Sequence, residues 1–185
     1  MKGIVFTEFL DMVEARFTPE VADRMITAAA VPSSGAYTAV GTYDYHEILR
    51  LVVQLSTLTS IPVPKLLHTF GVYLFGHFVA AYPALFAGVP SAFSFLERIE
   101  DHIQVEVRKL YPDAELPTFT CDTSTPGRLT MLYCSARPLA DLAEGLIAGC
   151  IAHFGEPICI HRDDIANSHG TQVRFVLMKQ DSSHE

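Results

Sequence analysis

Apolar residues recur every three or four positions through the first 110 residues, which is the spacing of one face of an α-helix. Thr18 before Pro19 combines a capping hydroxyl with a proline at the first helical position. We therefore expect one helix to end near Phe17 and another to begin at Pro19. Asp44 and Glu47 have the spacing of a capping box, and a helical stripe follows them. That stripe consists of Ile48, Leu51, Val52 and Leu55.

Two further helices are predicted in this half of the chain. Pro62 and Pro64 precede a stripe that is too apolar for a solvated helix surface, so this helix should be largely buried. Its apolar positions are Leu66, Leu67, Phe70, Leu74, Phe75 and Phe78. The next periodic segment begins at Ser91 or Ser94 and predicts one continuous helix that stops at Pro112. Its apolar positions are Phe95, Leu96, Ile99, Ile103, Val107 and Leu110.

Beyond Pro117 the spacing changes to that of β-strands. Residues 128–135 and 171–178 combine β-forming residues with partial alternation and predict antiparallel strands, and the run from Pro157 to His161 predicts a shorter one. Between them, residues 139–151 have helical spacing. Gly145 and Gly149 leave one face of that helix almost without bulk, which we interpret as close helix-to-sheet packing; the approach of a flat ligand is the alternative.

Composition and charge narrow the class of protein. The 185 residues suffice for one domain, and 49% hydrophobic against 18% charged residues indicates either a very large core or a cavity for an apolar ligand. The net charge of −8 and the scattered basic residues argue against binding to nucleic acid. Without a signal peptide or a run of about 18 apolar residues, we expect a cytoplasmic protein that does not enter a membrane. The four cysteines should be free thiols, and residues 181–185 a disordered tail.

The segment Tyr133-Cys134-Ser135-Ala136-Arg137 carries the most informative chemistry. Residues two apart on a strand share a face about 6.6 Å from one another, so Tyr133, Ser135 and Arg137 would form a row of two hydroxyls and a guanidinium. Such a row could bind two carboxylates, because the planar arginine fork bonds a carboxylate bidentately and the hydroxyls add neutral donors. The alternative is that Arg137, before Pro138, is a surface charge at a strand end.

Short segments along the chain occur in the order and spacing of a known family. They are Met1-Lys2-Gly3-Ile4-Val5-Phe6, Phe70-Gly71, Leu74-Phe75, Glu106-Val107, Lys109-Leu110-Tyr111, Leu116-Pro117, Tyr133-x-Ser135-x-Arg137, Ala143-Glu144-Gly145-Leu146 and His153-Phe154. The sequence therefore resembles the H-NOX (haem-nitric oxide/oxygen binding, HNOB) family, of the bacterial stand-alone type, over nearly its whole length. The resemblance implies an α+β fold in one domain over residues 1–180. A helical subdomain of about residues 1–62 and a helix and antiparallel-sheet subdomain of about residues 63–180 would enclose a haem cavity.

The resemblance also implies roles for individual residues. Tyr133, Ser135 and Arg137 would bind the propionates of haem b, and Pro117 would press on the macrocycle. The opposite side of the haem would be lined by Val5, Phe9, Leu74, Phe78, Leu142 and Leu146. Oxygen-binding relatives carry a tyrosine at the position of Leu142, so the resemblance implies binding of nitric oxide, with carbon monoxide as a second gas, and no stable binding of oxygen. The alternative for each of these residues is ordinary core packing.

One position departs from the family pattern. Where the relatives carry the histidine that ligates the iron, this chain has Gln104, and a glutamine amide is a poor ligand for haem iron. His102 is a weak substitute, because two helical steps rotate a side chain by about 200°. Three explanations stay open: an engineered change that imitates the activated sensor, a natural loss that leaves haem held by other contacts or by nothing, and a haem-free module that kept its partner-binding surface.

The leading interpretation is a haem-based nitric oxide sensor domain that regulates a separate signalling enzyme, either a histidine kinase or a cyclic-di-GMP enzyme. It is not itself expected to be an enzyme, since no G-x-S-x-G, P-loop or H-E-x-x-H motif occurs. The alternative is a haem-free interaction or redox module. A zinc site at Cys159 and His161 is disfavoured, because the positions of the cysteines that complete it in some relatives are here occupied by Ala140, Asp164 and Gln172.

Overall fold

The fold combines helices with one antiparallel sheet, as a computed structural model describing residues 1–110, 112–166 and 170–180 shows. The helices are α1 (Gly3–Arg16), α2 (Pro19–Ala29), α3 (Tyr45–Thr59), α4 (Val63–Ala81), α5 (Ala92–Leu96), α6 (Gln104–Leu110) and α7 (Ala140–Phe154). The strands are β1 (Thr118–Asp122), β2 (Arg128–Ser135), β3 (Ile158–Ile165) and β4 (Thr171–Lys179). The predicted α+β class is therefore confirmed. The tail predicted at residues 181–185 lies outside the described residues.

The boundary between α1 and α2 lies where the sequence predicts it. Helix α1 ends at Arg16, and Thr18 caps α2 by accepting a hydrogen bond from Val21 N at 3.3 Å. Pro19 occupies the first helical position, where its missing N–H costs no intrahelical hydrogen bond.

The capping box predicted for α3 forms only in part. Asp44 accepts a hydrogen bond from His46 N at 3.0 Å and thereby caps the helix. Glu47 does not reach back to the cap; its Oε2 accepts hydrogen bonds from Ser33 Oγ at 2.5 Å and from Tyr37 OH at 2.9 Å. Because Glu47 is buried, these donors replace the water that its carboxylate loses on folding.

The prediction of one continuous helix from Ser91 or Ser94 to Pro112 is wrong, because this segment forms two separate α-helices. Ser91 caps α5, which ends at Leu96, and one turn of π-helix spans Ile99–Ile103 before α6 begins. Ile99, Ile103 and Val107 are spaced four apart, so in a regular α-helix their side chains would drift by about 40° per step. The wider turn, in which Ile103 N bonds to Arg98 O at 3.0 Å, absorbs part of that drift.

The sheet has the strand order β1-β2-β4-β3, with every neighbouring pair antiparallel. Strand β2 has the predicted bounds, and β3 is longer than predicted because it continues past His161 to Ile165. Strand β1 was not predicted. It places β2 inside the sheet, where Tyr133 pairs with Phe119 on one side and Val173 on the other.

Helix α7 crosses α4 at glycines. A Cβ built on Gly145 would lie 2.9 Å from Gly71 Cα and far inside the van der Waals contact distance to His68 O, and one built on Gly149 would lie 2.7 Å from Phe75 Cβ. The predicted close packing of the glycine face is therefore present, but its partner is α4 and not the sheet. Gly71 makes this possible because α4 also lacks a side chain at the crossing.

Two hydrophobic clusters form the core, and α4 contributes to both. Leu74 belongs to the cluster of α1 to α4, whereas Phe75 belongs to the cluster of α5, α7 and the sheet. The subdomain boundary near residue 62 stays a prediction. No helix within the described ranges is long and apolar enough to cross a membrane.

Candidate functional site

A cavity of about 630 Å³ lies between α1 and α4 on one side and α6, α7 and the sheet on the other. Its volume is in the range of small-molecule and cofactor sites. Most of the residues predicted for the site line it: Val5, Leu74, Phe78, Pro117, Tyr133, Ser135, Arg137, Leu142 and Leu146. One end of the cavity is polar, and the rest of its wall is largely apolar.

The polar end is formed by Tyr133, Ser135 and Arg137. Strand β2 ends at Ser135, so Arg137 lies beyond the predicted strand face. Ser135 Oγ accepts a hydrogen bond from Arg137 N at 3.1 Å, and all three residues line the same cavity. Burial raises the pKa of Tyr133, which is 2% exposed, so its phenol stays protonated and can donate a hydrogen bond at neutral pH. This end therefore offers donors suited to carboxylates.

The Arg137 guanidinium is held in place by three contacts. Nη2 lies 2.5 Å from Glu115 Oε2, Nη1 donates to Glu115 O at 3.2 Å, and the guanidinium carbon lies 5.6 Å from the centre of the Tyr45 ring. The arginine side chain is 16% exposed, whereas that of Glu115 is 85% exposed. Arg137 is thus directed into the cavity region and is not a solvated charge at a strand end.

A second basic group lies at the same end. Lys2 Nζ is 2.5 Å from Asp113 Oδ1, and Thr42 Oγ1 donates to Asp113 Oδ2 at 3.1 Å. Lys2, Asp113, Glu115 and Arg137 together line a small polar pocket of about 100 Å³ beside the main cavity. The sequence reasoning missed Lys2, although it lies in the first segment shared with the family.

The apolar wall is contributed by Val5 of α1, Leu74 and Phe78 of α4, and Leu142 and Leu146 of α7. None of these five side chains can donate a hydrogen bond.

Phe9, also predicted for this wall, does not line the cavity. It lies in the helical core with its ring centre 5.2 Å from that of Phe70. Phe9 lies one helical turn after Val5 on α1. At that position its side chain is beyond the cavity and packs against α4.

Gln104 is buried but does not line the cavity. Its Nε2 donates to Pro117 O at 2.9 Å and to Glu100 Oε1 at 3.1 Å, and its Oε1 accepts from Arg108 Nη2 at 3.3 Å. Glu100 also accepts a hydrogen bond from Phe119 N. Both amide protons and the amide oxygen are therefore bonded within the protein, and they tie α6 to the start of β1.

His102, which the sequence analysis disfavours as a substitute ligand, is exposed on the π-helical turn and does not line the cavity. Neither histidine nor cysteine is found among the described residues that form its wall. The residues present thus fit an apolar ligand with acid groups better than they fit its anchoring through a coordinated metal.

Several lining residues escaped the sequence reasoning. Tyr82, Pro83, Ala84 and Leu85 form the turn after α4, and the signal for it was the proline directly after the apolar stripe. Leu110 also lines the cavity, yet it is 55% exposed, whereas its spacing placed it in a buried stripe.

The cysteines form no metal centre within the described ranges. Cys159 Sγ lies 3.7 Å from His161 Nε2, but no third cysteine, histidine or carboxylate of the described chain joins them. Burial raises the pKa of Cys150 to about 12 and that of Cys121 to about 11. These two thiols are therefore poor nucleophiles at neutral pH.

The fold and the cavity define a class: a binding protein with a largely apolar cavity that carries a tyrosine, a serine and an arginine at one end. Residues 2–162 match the family model described as haem-NO-binding. The chain belongs to this family, the H-NOX proteins, which are haem-based gas sensors.

Solved structures of the same family cover nearly the whole chain. An Fe(II) unliganded H-NOX protein from K. algicida, carrying the substitution A71G, is 42% identical with a TM-score of 0.92, covering 99% of this chain and 98% of that one. The IWP-051-bound H-NOX from Shewanella woodyi in the Fe(II)CO state is 38% identical with a TM-score of 0.84, covering 100% and 97%. An H-NOX protein from S. oneidensis in the Fe(II)NO state is 25% identical with a TM-score of 0.89, covering 98% and 100%. No curated protein gives a significant match.

Proposed function

We propose that this chain is a cytoplasmic nitric oxide sensor domain that uses haem b, or a variant of such a sensor fixed near its activated shape, and that it regulates a separate signalling enzyme without being an enzyme itself. The observation that carries the proposal is the convergence of Tyr133, Ser135 and Arg137 on one end of a cavity whose remaining wall is largely apolar. The two carboxylates of a haem would bind at the polar end. Its flat apolar body would contact Pro117 and the side chains of α4 and α7.

The gas preference follows from the apolar wall. When bound, the iron of haem supplies a coordination site for a diatomic gas. The side chains proposed to face the gas, those of Leu142, Leu146 and Phe78, carry no hydrogen-bond donor, which disfavours stable oxygen binding and leaves nitric oxide and carbon monoxide as ligands. The Fe(II)NO and Fe(II)CO states of the similar structures support this assignment.

Gln104 sets this chain apart within the proposal. Its amide bonds to Pro117 O, Glu100 and Arg108, so α6 is positioned by protein contacts where the relatives have an iron-histidine bond. We infer that this arrangement resembles the activated state of a sensor, in which that bond is broken. The surface of α6 would then be presented permanently to a histidine kinase or a cyclic-di-GMP enzyme. Val105 of α6, 41% exposed, offers apolar area for such a contact.

A haem-free interaction module is the second candidate, and the satisfied amide of Gln104 favours it. The amide nitrogen and the amide oxygen of this side chain both bond to protein partners, so α6 needs no ligand to stay in place. A redox version of this candidate is weaker, because burial keeps the Cys150 and Cys121 thiols protonated.

Titration of the purified protein with haem, followed by its Soret absorption, separates the two candidates. We expect the unaltered chain to bind haem with low affinity and Gln104→His to bind it tightly, because an imidazole at this position would supply a ligand for the iron. His102→Ala is the matched control and should leave the spectrum of the unaltered chain unchanged. Equal failure of the unaltered chain and Gln104→His to bind haem would contradict the sensor and support the haem-free module.

A further inference from the structure

The segment that joins α6 to β1 places a carboxylate on each basic group at the polar end of the cavity. Glu115 contacts Arg137 through its side chain and its backbone carbonyl, with the closest oxygen at 2.5 Å. Asp113 contacts Lys2, also at 2.5 Å. Both carboxylates come from the protein itself, and a single residue, Ala114, separates them in the chain.

These ion pairs use the donors that a ligand carboxylate would need. Glu115 already bonds to both terminal nitrogens of the Arg137 guanidinium, Nη1 and Nη2, so an incoming carboxylate that bonds this end of the fork competes with Glu115 for them. The two partners differ in mobility: the Glu115 side chain is 85% exposed, whereas that of Arg137 is 16% exposed. Glu115 can therefore leave for water at low cost while the guanidinium stays in position over Tyr45.

Lys2 and Asp113 repeat this difference. The lysine side chain is 12% exposed and its partner is 62% exposed, so again the basic group is the more fixed of the two, and Asp113 turns outward at the cost of its hydrogen bond from Thr42. Lys2 and Arg137 line both the small polar pocket and the main cavity. A ligand with two carboxylates can thus replace both internal partners, whereas a neutral ligand can replace neither.

We propose that Glu115 is a specificity-determining residue: an internal carboxylate that holds Arg137 until a ligand carboxylate displaces it, with Asp113 acting in the same way on Lys2. This inference rests on the proposed function, since it concerns the same cavity. It makes Lys2 a second anchoring group for a dicarboxylic ligand. The free energy of ligand binding then includes the difference between the interaction of Arg137 with the ligand carboxylate and its interaction with Glu115. This difference selects against apolar compounds that lack acid groups.

The test measures binding of metal-free protoporphyrin IX, which has two carboxylates, and of its dimethyl ester, which has none, by porphyrin fluorescence. Glu115→Gln removes the competing charge at a residue exposed enough for the fold to tolerate the change. Glu14→Gln is the matched control, because it removes one negative charge from an exposed position of α1 outside the cavity. Far-UV circular dichroism and thermal unfolding verify that each variant is folded.

We expect Glu115→Gln to bind protoporphyrin IX about fivefold more tightly than Glu14→Gln does, as loss of an exposed ion pair allows. The dimethyl ester should bind both variants within twofold of the unaltered chain. In an Arg137→Gln background the effect of Glu115→Gln should disappear, because the residue for which the carboxylates compete is gone.

Each other outcome overturns the inference in a recognisable way. Equal tightening by Glu115→Gln and Glu14→Gln would mean that net charge alone acts. Equal tightening for the acid and the ester would mean that Glu115 only obstructs the cavity mouth. Binding of protoporphyrin IX without any effect of Glu115→Gln overturns this inference and leaves the proposed function standing. Failure of every variant to bind either porphyrin overturns both.

Discussion

The crossing of α4 and α7 gives a quantitative test through the substitution Gly145→Ala. The new methyl group would lie 2.9 Å from Gly71 Cα and far inside the van der Waals contact distance to His68 O. Both are backbone atoms, which no side-chain rotation can move aside. The two helices must therefore separate at their closest point to accept the alanine.

Two opposing terms set the size of the effect. Overpacking a close contact typically costs about 1–3 kcal/mol. Replacing a helical glycine by alanine gains up to about 1 kcal/mol in helix propensity. We expect a net loss of about 1–2 kcal/mol in the free energy of unfolding, which for a domain of this size lowers Tm by about 2–8 °C.

Gly76→Ala is the matched control. It makes the same change on α4, but a Cβ on Gly76 has no neighbour within 4 Å, so only the propensity term applies and stability should rise. Urea unfolding followed by far-UV circular dichroism measures both variants. Gly145 lies between the cavity-lining Leu142 and Leu146, so Gly145→Ala should also weaken porphyrin binding while Gly76→Ala leaves it unchanged. An increase in stability of the same size for both variants would refute the steric argument.

Two further predictions concern ionisable groups. Burial opposes ionisation of Glu156, but the Ala92 amide at 2.6 Å and Lys179 at 3.0 Å outweigh it and lower the Glu156 pKa below its ordinary 4.5. Its stabilising contribution is therefore present above about pH 4.5 and lost as pH falls through the folded pKa. Between pH 7 and pH 3 the free energy of unfolding in urea should therefore decrease less for Glu156→Gln than for the unaltered chain. The difference between the two decreases should be at most about 1 kcal/mol after solvent screening. Cys150, with its pKa raised to about 12, should resist iodoacetamide at pH 7.5 in the folded protein and react with it in urea. Peptide mass spectrometry would measure the labelling. Rapid labelling of the folded protein would contradict the burial of this thiol.

The polar end of the cavity could be predicted from the sequence only in part. Alternation along β2 correctly puts Tyr133 and Ser135 on one face, because the period of a strand is two. Arg137 lies beyond the strand, and a hydrogen bond from its backbone to Ser135 places it at the same cavity. The family resemblance, which rests on the order of many segments, gave the fold class that spacing alone left open.

Other features depend on contacts between distant parts of the chain, and residue spacing does not encode them. The amide of Gln104 bonds to Pro117, thirteen positions further along, and no local pattern indicates this partner. Glycine spacing revealed a face without bulk on α7 but not that Gly71 of another helix would pack there. Strand β1 was missed because Phe119 and Cys121 are its only half-buried apolar positions, too few for a recognisable alternation.

Helix α4 has a mechanical consequence for the molecule. Leu74 and Phe78 form part of the cavity wall and pack with the helices of the first half, while Phe75, on the neighbouring face, packs with α5 and α7. A ligand that displaces Leu74 or Phe78 would therefore displace a helix that is packed into both hydrophobic cores. Any shift of α4 would repack the two halves of the molecule together.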